Sequence, residues 1–304
     1  MTTVRVFAPA KINLTLHITG HREDGYHLLD SLVAFAPVGD TIVIQDGNVP
    51  SLTVDGPEAA GVPADTDNLA LRAAMMAAQG RGAAMTLTKR LPVASGVGGG
   101  SADAAAAFRG MLSFGGEGEA PADGMWAMPE VIIETHARGL LTLGADVPMC
   151  LMPRPLRARG IGEKLDFLAL PPLPAVLVNP RVAVPTPDVF RALQSKSNPP
   201  MPDPLPQFTD TTGLIEFLGT CRNDLELPAL ALEPVIGSVL DRLVETEACR
   251  LARMSGSGAT CFGLFETEDA AKSAAERLWK DHPDWWVAGG VLGDQSRRAM
   301  PVRI

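Results

Sequence analysis

One segment of the sequence combines residue types that suit phosphate binding. Consecutive glycines leave backbone N–H groups unobstructed, and they permit the positive φ angles that turn those groups toward an anion. An alanine-rich stretch after Ser101 predicts a helix, whose N-terminal end adds a partial positive charge. The segment therefore predicts a phosphate-binding loop, with a plain turn before a helix as the alternative. Its residues are Pro92, Val93, Ala94, Ser95, Gly96, Val97, Gly98, Gly99, Gly100, Ser101 and Ala102.

Two common phosphate-binding motifs do not fit this glycine loop. A Walker A motif requires Gly-Lys-Ser or Gly-Lys-Thr, whereas Gly100 is followed by Ser101 and Ala102. The dinucleotide motif G-x-G-x-x-G would need a glycine at position 101, which is serine. The loop therefore belongs to a different class of phosphate-binding site.

The elements around the loop predict an α+β fold, because strands and helices do not alternate regularly enough for a doubly wound sheet. Alternating apolar residues predict a strand over 12–18, with Lys11 and Asn13 on its opposite face. Short strands are predicted within 31–54, broken at Gly39-Asp40 and Asp46-Gly47, and at 84–89, 173–178, 258–265 and 286–292. Helices are predicted at 67–79, from Ser101 onward, and at 128–142, 229–246 and 268–279.

Composition and charge exclude several classes of function. The 304 residues include 26 basic and 35 acidic side chains, a net charge of −9 that disfavours general binding to nucleic acid. The N-terminus lacks the pattern of a signal peptide, and no run of 18 apolar residues is long enough to span a membrane. The four cysteines have no metal-ligand spacing with the histidines, so we expect reduced thiols and a cytoplasmic protein.

Three segments resemble the motifs of the GHMP small-molecule kinases. They are 9–14 (PAKINL), the glycine loop 92–102, and 254–262 (MSGSGATCF). Five more segments narrow the resemblance to the branch whose alcohol substrate carries a cytidine diphosphate group. They are 20–27 (GHREDGYH), 143–148 (LGADVP), 160–163 (GIGE), 185–187 (PTP) and 223–226 (NDLE). The resemblance covers essentially the whole chain in order, although 115–127 and 194–212 match no motif.

The resemblance implies a two-domain α+β fold with the active site in the cleft between the domains. An N-terminal ATP-binding domain would cover 1–153 and a C-terminal domain 154–304. It also implies ATP-dependent phosphorylation of the 2-hydroxyl of a cytidyl-linked methylerythritol, in non-mevalonate isoprenoid precursor biosynthesis. ATP would be the co-substrate and Mg²⁺ the cofactor, with the metal ligands left open. We expect a small-molecule cytidyl substrate as partner, no nucleic acid or membrane, and a monomer or weak homodimer.

The family match assigns catalytic roles to Lys11 and Asp146. Phosphoryl transfer needs positioning, charge stabilisation and a group that orients or deprotonates the attacking hydroxyl. Asp146 would be that base, and Lys11 would favour its ionised form and offset charge at the phosphate. Taken alone, Asp146 could equally close a turn, and Lys11 could be a solvent-facing lysine on an edge strand.

The same match assigns substrate contacts to Asn13, Tyr26, His27, Thr186 and Phe190. A cytosine ring needs an aromatic platform, which would be Tyr26, the only tyrosine of the chain, with Phe190 on the opposite face. His27 would hydrogen-bond the base. For Phe190 an ordinary place in the core is the alternative.

Asp103, in the first predicted turn of the helix, suits the helix dipole but would repel phosphate. We therefore expect its carboxylate to point away from the phosphate or toward magnesium.

Two other functions remain open from the sequence. One is a GHMP kinase for a different alcohol, such as homoserine or mevalonate; the Gly25-Tyr26-His27 element argues against it, because those substrates carry no base. The other is a non-catalytic sensor of nucleotide and sugar, which would be expected to lack Lys11 and Asp146.

Overall fold

Two β-sheets pack against each other, and helices cover the outer face of each sheet. The computed structural model describes residues 2–116 and 130–304. The strands are β1 (Val4–Asn13), β2 (His17–His21), β3 (His27–Asp46), β4 (Ser51–Asp55), β5 (Ala83–Thr88), β6 (Leu156–Gly160), β7 (Lys164–Phe167), β8 (Leu173–Asn179), β9 (Leu251–Met254), β10 (Cys261–Leu264), β11 (Trp286–Leu292) and β12 (Val302–Arg303). The helices are α1 (Leu69–Ala78), α2 (Gly99–Phe114), α3 (Glu130–Leu141), α4 (Val147–Leu151), α5 (Thr186–Arg191), α6 (Thr211–Thr220), α7 (Glu226–Leu232), α8 (Val235–Val244) and α9 (Glu268–Asp281).

The strand order confirms the predicted α+β class. The first sheet runs β12-β1-β3-β5-β4, and β2 and β6 also pair with β3, while β7 pairs with β6. All of its neighbours are antiparallel except β4 and β5. The second sheet, β11-β8-β10-β9, is antiparallel throughout. Antiparallel pairs of this kind need no helical crossover, which is why helices and strands do not alternate along the chain.

Three buried apolar clusters hold these layers together. The first lies between the first sheet and α1, α2 and α4. The second joins the two sheets, and the third lies between the second sheet and α5, α8 and α9. The order of layers is therefore helix, sheet, sheet, helix, and the second half of β1 and the middle of β3 are covered on both faces.

A β-bulge where β1 pairs with β3 decides which side chains face the glycine loop. The register with β3 shifts between Pro9 and Lys11. Before the shift, Ala8 packs in the cluster beside α2; after it, Ile12 packs in the cluster between the sheets. Across the shift, from Pro9–Gly39 to Lys11–Phe35, β1 advances by two residues and β3 by four. The even-numbered side chains of β1 change faces there, so Lys11 faces the side where α2 begins. A Cβ at Gly39, opposite the bulge, would lie 2.1 Å from the Ala8 carbonyl oxygen, so only glycine fits there.

Several sequence predictions need correction. The strand break predicted at Gly39-Asp40 is wrong, because β3 continues through it as one strand of 20 residues. The helix predicted at 229–246 is two helices, since Pro234 separates α7 from α8. Strand β12 was not predicted at all. The predictions for 115–127 and 128–142 lie partly outside the described residues, although α3 falls within the second range.

The sheets do not divide at the predicted domain boundary of 153/154. Strands β6, β7 and β12 all follow that boundary in sequence and all belong to the first sheet. Membership of the second sheet begins with β8 at Leu173. The division into 1–153 and 154–304 stays a prediction, and the sheets alone would place it nearer 170.

The cysteines are free thiols, and three of the four are buried. Burial raises the pKa of Cys150 to about 12, so it stays protonated at neutral pH. Within the described ranges, no helix is both long and apolar enough to cross a bilayer.

Candidate active site

One cavity of about 950 Å³ brings most of the predicted site residues together. This is the volume of a small-molecule site. Its walls come from both halves of the chain: β1 and the start of α2 on one side, and α5 with the 256–257 turn on the other. The predicted residues on its surface are Lys11, Asn13, Tyr26, His27, Pro92, Val93, Ala94, Ser95, Gly96, Gly98, Gly99, Gly100, Ser101, Asp146, Thr186 and Phe190.

Two residues predicted to contact the nucleotide, Val97 and Ala102, are not on the cavity surface. The side chains of Val97 and Ala102 are buried, at 0% and 1% exposure, and they pack in the cores on either side of the loop. Val97 contributes through its carbonyl oxygen, which accepts a hydrogen bond from the backbone N–H of Lys11 at 2.9 Å. These two residues therefore anchor the loop and do not line the cavity.

The glycine loop ends in a helix N-terminus that opens toward the cavity. Gly98 caps α2 with a left-handed backbone, φ 63°, and its carbonyl accepts the first helical bond from Ala102. The next three N–H groups, of Gly99, Gly100 and Ser101, have no intrahelical partner by position. Because these residues line the cavity, their amides are placed to bind an anion.

The glycines of the loop are not equivalent. Gly96 and Gly98 have positive φ angles, of 74° and 63°, whereas Gly99 and Gly100 have helical geometry. A Cβ on Gly96 would lie 2.4 Å from the carbonyl oxygen of Ser255. The loop therefore needs glycine at 96 and 98 for its own conformation, whereas a Cβ on Gly99 or Gly100 would make only ordinary contacts with neighbouring side chains.

The third motif fastens the loop to the second sheet. The Ser255 hydroxyl accepts from the Asn13 backbone N–H and donates to the Gly96 carbonyl, both at 3.0 Å. The Ser257 hydroxyl lies 2.8 Å from that of Thr186 at the start of α5. This turn therefore joins β1, the glycine loop and α5 around one cavity.

Lys11 and Asp146 form the ion pair that the family motifs imply. Lys11 Nζ donates to Asp146 Oδ2 and to Asn13 Oδ1, each at 2.8 Å. The Lys11 side chain is 5% exposed and that of Asp146 37%, so the carboxylate reaches the cavity while the ammonium is enclosed. Asp146 precedes α4 without capping it. This geometry excludes the solvent-facing alternative for Lys11, whereas Asp146 does lie in a turn, and its side chain also makes the contact to Lys11.

The aromatic end of the cavity is arranged differently from expectation. His27 stacks on Phe190 with ring centroids 4.7 Å apart, and among the described residues no ring contact joins Tyr26 to Phe190. Burial, followed by the electrostatic influence of His21 and Lys196, lowers the pKa of His27. His27 is therefore neutral at pH 7, and its buried Nε2 has no partner. Tyr26 is 55% exposed at the cavity edge.

Sequence reasoning missed a second charged group on the lining. Lys89 Nζ donates to Asp103 Oδ2 at 2.8 Å and also to Asp40 Oδ2. Asp103 is thus paired with a lysine and does not stand free for a metal ion. The signal for Lys89 was available: it follows the alternating buried residues Met85 and Leu87, so it falls on the buried face where lysine is unusual.

Replacing Gly98 with alanine tests the loop geometry. The new Cβ would lie 3.0 Å from Lys11 Cε, and alanine disfavours the φ of 63°. Strain of about 1–2 kcal/mol would shift the loop and Lys11 together, so we expect kcat/KM to fall by about tenfold. Gly80→Ala is the matched control, because Gly80 has a φ of 83° but nothing within 4 Å of the new Cβ. Equal kcat/KM values for the two variants would contradict the proximity of the loop to Lys11.

Comparisons with known proteins match these features along most of the chain. The GHMP kinases N terminal domain matches residues 68–154, and GHMP kinases C terminal matches residues 209–283. The chain is 53% identical over 302 residues to a 4-diphosphocytidyl-2-C-methyl-D-erythritol kinase of Roseobacter denitrificans, covering 98% of this chain and 96% of the relative. It is 56% identical over 288 residues to the kinase of the same name from Dinoroseobacter shibae, covering 94% of each.

Solved structures agree with the sequence relatives. A crystal structure of 4-(cytidine 5'-diphospho)-2C-methyl-D-erythritol kinase superposes with a TM-score of 0.72 at 35% identity, covering 95% of this chain and 99% of the other. A homoserine kinase from Cytophaga hutchinsonii superposes with a TM-score of 0.65 at 19% identity, covering 99% and 97%. The second similarity concerns the fold alone.

Proposed function

Because this chain belongs to the GHMP kinase family, we propose that it transfers the γ-phosphate of ATP to the 2-hydroxyl of 4-diphosphocytidyl-2-C-methyl-D-erythritol. The products are the 2-phosphate and ADP, and the reaction serves non-mevalonate isoprenoid precursor biosynthesis. The observation that carries this proposal is the single cavity that joins a glycine loop, the Lys11–Asp146 pair and an aromatic end. The glycine loop suits the triphosphate of ATP, the ion pair suits the reacting hydroxyl, and the aromatic end suits the cytosine.

Asp146 takes the proton of the attacking hydroxyl. Its carboxylate reaches the cavity, while Lys11 holds it in one orientation through the 2.8 Å contact to Oδ2. As the hydroxyl oxygen bonds to the γ-phosphorus, its proton moves to Asp146 and the bond to the bridging oxygen of ADP breaks. Lys11 is itself fixed by Asn13, so it is already oriented toward the negative charge that accumulates on the transferring group.

The glycine loop holds the triphosphate. The free amides of Gly99, Gly100 and Ser101 are oriented before the nucleotide arrives, so no reorganisation is needed during transfer. Within the described residues, no cluster of three or more histidine, cysteine or acidic side chains could hold a metal alone. Mg²⁺ would enter bound to ATP, and such an ion needs only one or two protein carboxylates. There it would supply positive charge that offsets the charge on the phosphate oxygens.

The aromatic end takes the cytosine. Tyr26 offers an exposed ring face, and Phe190 offers another once the base displaces His27 from it. Nε2 of the neutral His27 ring is buried without a partner. Once the base has displaced this ring from Phe190, Nε2 can form a hydrogen bond with the polar edge of the base. We further propose a cytoplasmic enzyme that acts as a monomer or weak homodimer.

The direct test is a substrate panel. Purified protein, ATP and Mg²⁺ are mixed with the cytidyl substrate, mevalonate or homoserine, and products are identified by mass spectrometry. Phosphorylation of the cytidyl substrate alone is expected. Preferential phosphorylation of mevalonate or homoserine would overturn the substrate assignment, and ATP binding without any product would favour a sensor.

Lys196 is expected to contact the diphosphate of the cytidyl substrate. Of the described lysines and arginines on the lining, Lys11, Lys89 and Arg191 already pair with carboxylates, and Lys196 does not. Its position is fixed two residues later, where Asn198 bonds the Ile18 carbonyl at 2.9 Å and Asp224 at 3.0 Å. Lys196→Ala should raise KM for the cytidyl substrate by about three- to tenfold and leave KM for ATP unchanged.

The control for Lys196 is Lys272→Ala, which removes an exposed lysine on α9. Inhibition by cytidine and by cytidine diphosphate separates charge from base recognition: the Lys196 variant should lose affinity for the diphosphate only. Equal losses for both inhibitors would place Lys196 against the base or the ribose.

A further inference from the structure

A buried cluster of three charged side chains adjoins the glycine loop. Asp40, Lys89 and Asp103 are 0%, 4% and 3% exposed, and both carboxylates accept hydrogen bonds from the one ammonium. The proposed reaction uses none of the three as acid, base or nucleophile. Such a cluster is costly to bury, and replacing a buried ion pair with apolar residues is often neutral or stabilising. Its place in the fold therefore calls for a role other than stability.

The cluster connects the two ends of the loop. Lys89 lies three residues before the loop, and Asp103, the fifth residue of α2, directly follows it. Asp40 lies on β3, and its Oδ1 accepts hydrogen bonds from the backbone N–H groups of Arg90 and Leu91, the latter at 2.9 Å. One carboxylate of β3 thus holds the chain where it enters the loop, and one ammonium joins that point to the start of α2.

The middle of the loop is held separately. The Ser95 carbonyl accepts from the Thr260 backbone N–H at 3.0 Å, and the Gly96 carbonyl accepts from the Ser255 hydroxyl. These contacts fix the loop to the second sheet, whereas the charged cluster fixes its ends to the first. The free amides of Gly99 and Gly100 lie next to the end of the loop that the charged cluster holds. The positions of these amides therefore depend on the cluster more directly than the middle of the loop does.

We propose that Asp40 and Lys89, with Asp103 as their partner on α2, position the glycine loop for the triphosphate of ATP. The inference rests on the proposed function, because it takes ATP as the ligand of the loop. Asp40 does not line the cavity and acts only through the loop, so it is a positioning residue. Its removal should weaken nucleotide binding and leave the cytidyl end of the cavity unaffected.

The charge of the cluster depends on Asp103. Burial raises the pKa of Asp103 to about 8, even though Lys89 opposes the shift. Burial alone would lower the pKa of Lys89, but the two carboxylates outweigh it and raise the pKa. Asp103 Oδ1 is buried without a partner, which leaves room for a proton. The raised pKa of Asp103 favours its protonated form at neutral pH, so its ionisation changes the charge of the cluster.

Ionisation of Asp103 places a negative charge beside the triphosphate site. The charged groups that face it are Lys89, at the end of β5, and Asp40, on β3. Cys150 of α4 also interacts with Asp103, but its pKa of about 12 keeps it neutral. The buried face of α1, which packs on α2, is built of alanine and leucine. Since a raised carboxyl pKa favours the protonated folded form, stability should decline as pH rises from the ordinary carboxyl range toward 8, and nucleotide affinity should decline as pH rises through 8.

The first experiment measures binding of the non-hydrolysable analogue AMP-PNP and of cytidine diphosphate by calorimetry. In Asp40→Asn the amide oxygen can still accept from a backbone N–H, but the side chain can no longer accept from both the backbone and the Lys89 ammonium. We expect its Kd for AMP-PNP to rise by about tenfold, the size of one lost charge-assisted hydrogen bond, and its Kd for cytidine diphosphate to change less than twofold. Equal losses for both ligands, or none, would overturn the inference.

Asp30→Asn is the matched control. Asp30 is also buried on β3 and also pairs with a cation and a backbone N–H, but these belong to Arg157 and Met201, away from the loop. It should lower the melting temperature as Asp40→Asn does, without changing Kd for AMP-PNP. A native protein that binds no AMP-PNP would defeat the proposed function itself, whereas a native protein that binds it as tightly as Asp40→Asn does would defeat only the positioning role.

A second experiment stays informative if Asp40→Asn fails to fold. Asp103→Asn keeps an oxygen for Lys89 and removes the titration. Between pH 7 and 9 the Kd of the native protein for AMP-PNP should rise by about three- to tenfold, while that of Asp103→Asn should change less than twofold. Parallel pH profiles for the two proteins would contradict the role given to Asp103.

Discussion

Asp146→Asn is expected to lower kcat by about 10²–10⁴-fold while nucleotide binding is retained. Asparagine has the shape of aspartate but cannot take the proton of the hydroxyl. Asp146 faces the cavity, and its Oδ2 lies 2.8 Å from Lys11 Nζ. The other hydrogen-bond partner of Lys11 Nζ is Asn13, whose amide cannot act as a base. The measurement is kcat from steady-state turnover with both substrates saturating, together with Kd for AMP-PNP by calorimetry.

The loss of charge at Asp146 has a structural consequence that must be separated from the chemical one. Lys11 is enclosed, and without the carboxylate it retains only Asn13 as a partner. A lower melting temperature is therefore expected as well, and turnover should be measured well below it. Asp281→Asn, at an exposed ion pair on α9, is the control. An Asp146 variant that keeps most of its kcat would remove this residue from proton transfer.

The sequence was sufficient for the motifs and for the type of fold, because these depend on local residue pattern. Glycine spacing predicted the loop, and alternation of apolar residues placed Lys11 opposite the buried row. The contact between Lys11 and Asp146 spans 135 positions in the chain and depends on a bulge. The sequence predicts a strand break at Gly39, because glycine is common in turns. Glycine is also used where two backbones approach closely, and that is its role here.

Other parts of the site could not be predicted from local pattern. Asp40 lies within the long strand β3, and only the packing of the folded chain buries its carboxylate beside the Lys89 ammonium. The stacking of His27 on Phe190 joins residues far apart in sequence, so the arrangement of rings follows from where α5 docks. Pro234 was a local signal for two helices, and sequence reasoning overlooked it.

Tyr26 carries the second large prediction, which concerns the choice of substrate. Its backbone is held in place: the Tyr26 carbonyl accepts from the Arg22 N–H at 2.7 Å, and its N–H donates to Asp24 at 3.3 Å. Gly25, with a φ of 92°, completes the turn. The ring itself is 55% exposed at the cavity edge, so the turn presents it without burying it. An exposed aromatic ring on a fixed backbone is a suitable platform for a base.

Tyr26→Ala should raise KM for the cytidyl substrate by about 5- to 150-fold, because stacking on an aromatic ring contributes roughly 1–3 kcal/mol per base. KM for ATP should stay nearly unchanged, and the melting temperature should fall little, since the ring is already largely in solvent. Tyr26→Phe should lose much less, because the ring face remains. Trp279→Ala, which removes an exposed aromatic residue on α9, controls for surface apolarity. A rise in KM for ATP as large as that for the cytidyl substrate would mean that Tyr26 organises the whole cavity, and base stacking would no longer explain why this kinase selects a cytidyl alcohol.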